Sequence, residues 1–179
     1  PRGALRHQRF QPDAVDQVCA NFDDAYWAER DQRHEFPWDF YAAMAEGGWL
    51  GVAIPEEYGG GGRGITECAI VLNRVAASGA AMNGSSALHL TMFGLNPVVK
   101  FGNDRLKETF LPRAASGDLH IAFGVTEPDA GTDTSRISTR AIDDGNGGFV
   151  VRGRKIWTSK ALESEVCLLL ARTDDADPD

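Results

Sequence analysis

Two short stretches of the 179-residue chain carry side chains that could hold a flat, polar ligand. The first, VTEPDAGTDTS (residues 125–135), gathers Thr126, Thr132, Asp133, Thr134 and Ser135 around Pro128 and Gly131, directly after the apolar run LHIAFGV. Hydroxyls and free backbone N–H groups converging at a strand end can bind an acceptor-rich ligand without any charged side chain. The same composition suits a plain surface turn, in which Pro and Gly set the bend and Asp and Thr satisfy nearby backbone. The second stretch, GRKIWTSKA (153–161), sets Trp157 in a predicted strand beside Thr158 and Ser159. An indole face next to hydroxyl donors suits a heteroaromatic ligand that stacks on one side and hydrogen-bonds at its rim. The alternative for Trp157 is ordinary core.

Other chemistries find less support. Gly59, Gly61 and Gly64 satisfy the spacing GxGxxG ahead of a helix, as a dinucleotide-binding turn does. A full strand should precede such a turn, and PEEY stands there instead. An acidic residue should also follow to hold a ribose, yet none occurs between Glu67 and Asp104, so a loop is the better account. His7, His34, His89 and His120 have no ligand-like spacing, and no HExxH or CxxC occurs, so no metal site is expected. No GxSxG elbow presents a nucleophile. His89, within ALHLTM, is expected to be a packed helix residue.

The elements around these stretches follow from periodicity. Val15, Val18, Phe22 and Tyr26 recur every three or four residues, which predicts a helix with one buried stripe, opened by Asp13 as cap. Pro37 suits the start of a second helix that Gly47 and Gly48 end. WLGVAIPEEYGGGGRG is irregular. Thr66 is expected to cap a third helix, ALHLTMFGLNPVVKFG forms a fourth interrupted at Pro97, and Asn103 caps a short one disturbed by Pro112. From His120 onward the pattern changes. LHIAFGV, ISTRAI, FVVRGRKIWTS and EVCLLLAR read as strands, with DDGNGG as a turn between the second and third. The expectation is an α+β chain: a helical domain over 1–119 and an incomplete β domain over 120–179. A β domain of about 60 residues buries little core and exposes unpaired edges, which points to a fragment of a longer protein.

Composition bounds the setting. The chain has 18 basic and 26 acidic side chains, a net charge of −8 and 42% hydrophobic residues, as an ordinary globular protein has. Neither predicted domain carries a basic excess, so no nucleic acid or anionic membrane partner is expected. No apolar run reaches the ~20 residues of a membrane-spanning helix. Cys19, Cys68 and Cys167 are sparse and odd in number, which argues for a reducing, cytoplasmic compartment over a disulfide scaffold.

The two stretches together resemble the acyl-CoA dehydrogenases. That family's middle domain carries C/A-V-T-E-P-x-A-G-S-D and, downstream, G-x-K-x-W-I-T-N; here they stand as GVTEPDAGTD and GRKIWTSKA in the same order. FPWDFYAAMAEGGWLGVAIPEEYGG and KFGNDRLKETFLPRAASGDLHIAFGVTEP are similar to the family's segments ahead of the flavin site. The resemblance covers essentially the whole chain.

It implies an all-α N-terminal domain followed by the start of a β-barrel-like middle domain, truncated before a C-terminal helical bundle. It further implies FAD as cofactor. Phe123, Val125 and Thr126 would lie by the flavin ring, and Thr132 would serve the pyrophosphate and the substrate entrance. Trp157 would cover one flavin face, with Thr158 beside it and Ser159 directed at the hydride-accepting nitrogen. Asp129, Thr158 and Lys160 depart from the family's common glycine, isoleucine and asparagine. The implied reaction is α,β-dehydrogenation of an acyl-CoA thioester to a trans-2-enoyl-CoA, within fatty-acid β-oxidation. Electrons would pass to an electron-transferring flavoprotein, and the full-length enzyme would be a homotetramer. The base would be a glutamate of the C-terminal domain rather than Glu127, so these 179 residues alone would not complete a turnover. An acyl-CoA oxidase, a nitroalkane oxidase, a flavin monooxygenase or a non-catalytic subunit of the same scaffold are the alternatives.

Overall fold

The computed structural model describes residues 10–173. The basic N-terminal residues with His7, and the acidic DDADPD end, lie outside the described residues. The chain divides into two compact units, Pro1–His120 and Ile121–Asp179.

The first unit is helical. The predicted stripe from Val15 to Tyr26 is split into α1 (Asp13–Cys19) and α2 (Asp24–Arg33). Asp23 causes the break: its backbone is extended and its carboxylate accepts from Tyr26 N–H at 2.9 Å, as an N-cap does. At α1 the cap is Pro12, with no side-chain cap; Asp13 lies 3.6 Å from Arg74 instead. Pro37 opens α3 (Trp38–Glu46), and Gly47 follows it as cap. Gly64, not Thr66, precedes α4 (Ile65–Val75), and the Glu67 carboxylate accepts the Gly64 N–H at 3.0 Å. A π-helical turn, Ala76–Ala80, leads into α5 (Ala81–Gly94). The next break falls at Leu95, and Pro97 sits in the first turn of α6 (Asn96–Phe101), where its missing N–H costs nothing. Asn103 caps α7 (Asp104–Ser116), accepting from Leu106 N–H at 3.0 Å. This helix runs through Pro112, with Leu111, Ala114 and Ala115 buried along it. Burial of that face offsets the lost bond and ring clash.

Val15, Phe40, Met44, Leu50, Val71, Val75 and Leu88 are fully withdrawn from water and pack in one cluster. Phe22, Tyr26, Trp27 and Phe40 meet edge-on or tilted at centroid separations of 4.9 to 6.5 Å. His89 faces the Ser86 carbonyl through Nδ1 at 3.1 Å and lies beside the Phe93 ring, a packed helix residue as expected. The glycine-rich loop is tethered: the N–H groups of Gly60, Gly61, Gly62 and Arg63 donate to carbonyls of Pro55, Gly51, Ile54 and Val52. A Cβ at Gly60 would lie 2.1 Å from the Ile54 oxygen. Those donors are therefore spent within the fold and cradle no phosphate.

The second unit holds four strands among its described residues. β1 (Ile121–Gly124) pairs in parallel with β4 (Val166–Leu169), and β2 (Arg140–Asp143) pairs antiparallel with β3 (Phe149–Arg152). They form two separate two-stranded sheets among the described residues, the incomplete β domain expected after the helical one. All four residues of β3 are exposed, Phe149, Val150 and Val151 among them. No described helix is long and apolar enough to cross a membrane. The three cysteines are free thiols.

Candidate functional site

Every candidate ligand-binding residue lies in the second unit. Phe123 is half-buried within β1, in register with Leu168. Val125 and Thr126 follow the strand end. Glu127 then folds back on Ala130 through two backbone bonds, 2.9 and 3.3 Å, that bracket Pro128 and Asp129. Thr132 is exposed beyond that turn. Asp133 accepts from both the N–H and the hydroxyl of Ser135.

Residues 153–158 lie outside any strand, which corrects the placing of Trp157. A Cβ at Gly153 would fall 2.2 Å from Thr139 Oγ1, so only glycine permits this close approach. Trp157 has φ 57°, in the left-handed region that cannot continue a strand. Its indole is consequently 84% exposed and not core. Thr158 is half-buried and Ser159 exposed. Lys160, also left-handed at φ 59°, is partly buried, and that desolvation lowers its ammonium to about 8 against the opposing Glu163 charge.

The two motifs are side by side. Ile156 N–H donates to the Thr126 carbonyl at 2.9 Å, so Trp157 follows directly on a residue fastened to Thr126. One residue earlier, Lys155 Nζ donates to Val125 O at 2.9 Å and to Glu127 Oε1 at 2.8 Å. Glu127 is 4% exposed. Its Oε2 accepts from the Ser138 N–H (2.6 Å) and hydroxyl (2.7 Å), and its Oε1 from Thr139 N–H (2.8 Å). Burial alone would raise its carboxyl. The Lys155 ammonium and the donors of Thr139 and Ser138 overcome that and hold it well below the usual carboxylate range. Arg172 clamps the same loop from its other end, donating to the Ile137 and Ser135 carbonyls.

Chemically, the arrangement offers an exposed aromatic plate, an adjacent strand end and a hydroxyl at Thr126. That combination suits stacking and rim contacts to a flat ring. Thr132 is not joined to residues 153–159 by any hydrogen bond among the described residues. No cluster of metal-ligating side chains occurs among them either. Lys155, Ser138 and Thr139 were not singled out from the sequence. The one available signal was a lysine inside an otherwise strand-like run.

Comparison with known proteins finds one family along both units. Residues 6–118 match the family model for the acyl-CoA dehydrogenase N-terminal domain, and residues 122–179 match that for the acyl-CoA dehydrogenase middle domain. The acyl-CoA dehydrogenase FadE12 of Mycobacterium tuberculosis is 36% identical over 166 residues, 91% of this chain and 41% of FadE12. Among solved structures, that of the electron transferring flavoprotein of Acidaminococcus fermentans is similar with TM-score 0.80 and 28% identity, over 91% of this chain and 42% of that one. The ChsE4–ChsE5 complex of Mycobacterium tuberculosis matches with TM-score 0.69 and 32% identity, over 94% of this chain and 44% of that one. The chain thus spans about two fifths of the length of the curated relative it matches.

Proposed function

This chain belongs to the acyl-CoA dehydrogenase family, and on that footing we propose that it forms the helical domain (1–119) and the first part of the flavin-binding domain (120–179) of an FAD-dependent acyl-CoA dehydrogenase. The observation that carries this is the bond from Ile156 N–H to Thr126 O, because it sets an exposed indole beside the strand-end threonine. A flavin fits such a place: a flat ring needs a stacking surface, and the Trp157 indole offers one.

Phe123, Val125 and Thr126 line the ring. The carbonyls of Val125 and Thr126 already accept from Lys155 and Ile156, so the Thr126 hydroxyl and the N–H groups remain for the flavin's polar edge. Trp157 covers one face, Thr158 and Ser159 bring hydroxyls toward the ring nitrogens, and Thr132 serves the pyrophosphate and the substrate entrance. Held by these residues, FAD would supply the acceptor for a hydride from the β carbon of an acyl-CoA. Glu127 keeps its charge inside three hydrogen bonds from Ser138 and Thr139 and the ion pair with Lys155, so it takes no proton from substrate. The base is a carboxylate supplied by the rest of the protein, and the product is a trans-2-enoyl-CoA. Electrons pass to an electron-transferring flavoprotein, and the assembly is a cytoplasmic tetramer acting in fatty-acid β-oxidation.

The test is anaerobic titration of the purified full-length protein with acyl-CoA thioesters of increasing chain length. Bleaching of a bound-flavin spectrum by at least one thioester is expected, and the preferred length identifies the substrate. A full-length protein with no flavin spectrum, even after incubation with FAD, would sink the proposal.

A further inference from the structure

We propose that Glu127 and Lys155 are positioning residues of the flavin cradle, setting the register between the strand end at Val125–Thr126 and the tryptophan segment; this rests on the function proposed above. The pair is withdrawn from water, with side-chain exposures of 3% for Glu127 and 9% for Lys155. Burying two charges is costly, and an apolar pair of similar volume often serves stability as well or better. A buried pair therefore needs a reason beyond stability, and its connections supply one.

Lys155 Nζ reaches two points on the first motif, Val125 O and Glu127 Oε1. The next residue, Ile156, bonds Thr126 O. Three consecutive residues of the first motif are thus gripped by two consecutive residues of the second. Glu127 extends the grip to Ser138 and Thr139, and Thr139 in turn lies against Gly153. A one-residue slip would break all of these bonds together. It would also carry Trp157 away from Thr126, because the indole follows Ile156 in the chain. An ammonium can satisfy a carbonyl and a carboxylate at once, whereas a methylene chain would pack there without fixing register.

Three variants of the full-length protein separate positioning from packing: Lys155→Met, Glu127→Gln, and the double substitution. Each is read by thermal unfolding of the FAD-free protein, by FAD dissociation constant, and by quenching of Trp157 fluorescence on FAD addition, isolated by difference against Trp157→Phe. Lys155→Met leaves Glu127 charged and unpaired, and is expected to lower the unfolding temperature and weaken FAD binding. The double variant removes the orphan charge and regains the unfolding temperature. It still lacks the bond to Val125 O, so FAD binding is expected to stay weaker by about tenfold or more, with altered tryptophan quenching. A double variant that binds FAD and quenches Trp157 as the unsubstituted protein does would overturn the positioning role and leave the family function intact. Absence of FAD binding by the unsubstituted protein would instead overturn the proposed function, and the positioning role with it.

Discussion

In residues 10–120 the groups removed from water are mostly apolar: Phe40, Met44, Leu50, Val71, Val75 and Leu88 have no measurable exposure. Even the polar contact there, Tyr41 with Thr91 at 3.2 Å, is a neutral one. In residues 121–173 few large side chains are buried, and a carboxylate and an ammonium share the interior with Ile121 and Ile137. Apolar burial is non-directional and tolerates repacking. Hydrogen bonds to charge are directional and fix which atom meets which. The helical unit is held by its packing, while the loops around Thr126 and Lys155 are held by a polar network in which named atoms meet named partners.

Substitutions sharpen that contrast, from the largest effect downward. Lys155→Ala leaves Glu127 buried without its ion-pair partner and should cost about 3–5 kcal/mol, measured by urea unfolding near neutral pH. Leu88→Ala, deep in α5, should cost about 2–5 kcal/mol in the same assay. The two should then part on acidification. Glu127 has its folded pKa depressed, so its stabilisation is present above the ordinary glutamate value of ~4.3 and fades as pH falls through the lower folded value. In Lys155→Ala the Ser138 and Thr139 donors remain, but burial is opposed by less. The carboxyl then takes up its proton at a higher pH than in the unsubstituted protein, and the charge mismatch ends there. The penalty at Lys155 should therefore shrink at low pH, and the penalty at Leu88 should not; equal penalties at both pH values would erase the distinction.

Smaller effects probe the edges of each region. Gly153→Ala forces a Cβ against Thr139 and should cost about 1–3 kcal/mol by overpacking, with a drop in thermal midpoint as the readout. Asn103→Ala removes the α7 cap and should cost about 1 kcal/mol. Arg33→Ala breaks an exposed pair with Glu29 on α2 and should cost no more than about 0.5 kcal/mol. A large loss there would mean that surface charge, and not packing, carries the helical unit.

The elements were legible where a residue's backbone chemistry decides the outcome. Pro37 and Asn103 open and cap helices as their types require, and the left-handed turn after α3 falls at Gly48, φ 77°. The break between α1 and α2 was hidden because Phe22 and Tyr26 keep the helical spacing across it and still pack together. The two motifs were visible as composition, and their nearness rests on the Ile156–Thr126 bond, which pairing geometry and not composition creates. The burial of Lys155 is not visible in the strand-like run that holds it, because a lysine is normally solvated and only its partner 28 residues away makes burial tolerable. Trp157 was misplaced for a related reason: nothing in the letters KIWTS announces a left-handed tryptophan.

That backbone twist at Trp157 has a practical corollary for anyone redesigning the scaffold. Regularising residues 153–158 into a smooth β-extension would look like an improvement by every local propensity, since isoleucine, tryptophan and threonine all favour strands. It would also remove the left-handed backbone at Trp157 and with it the position the indole now holds after Ile156. An idealised sequence could therefore become sturdier while losing the surface that a planar guest would use.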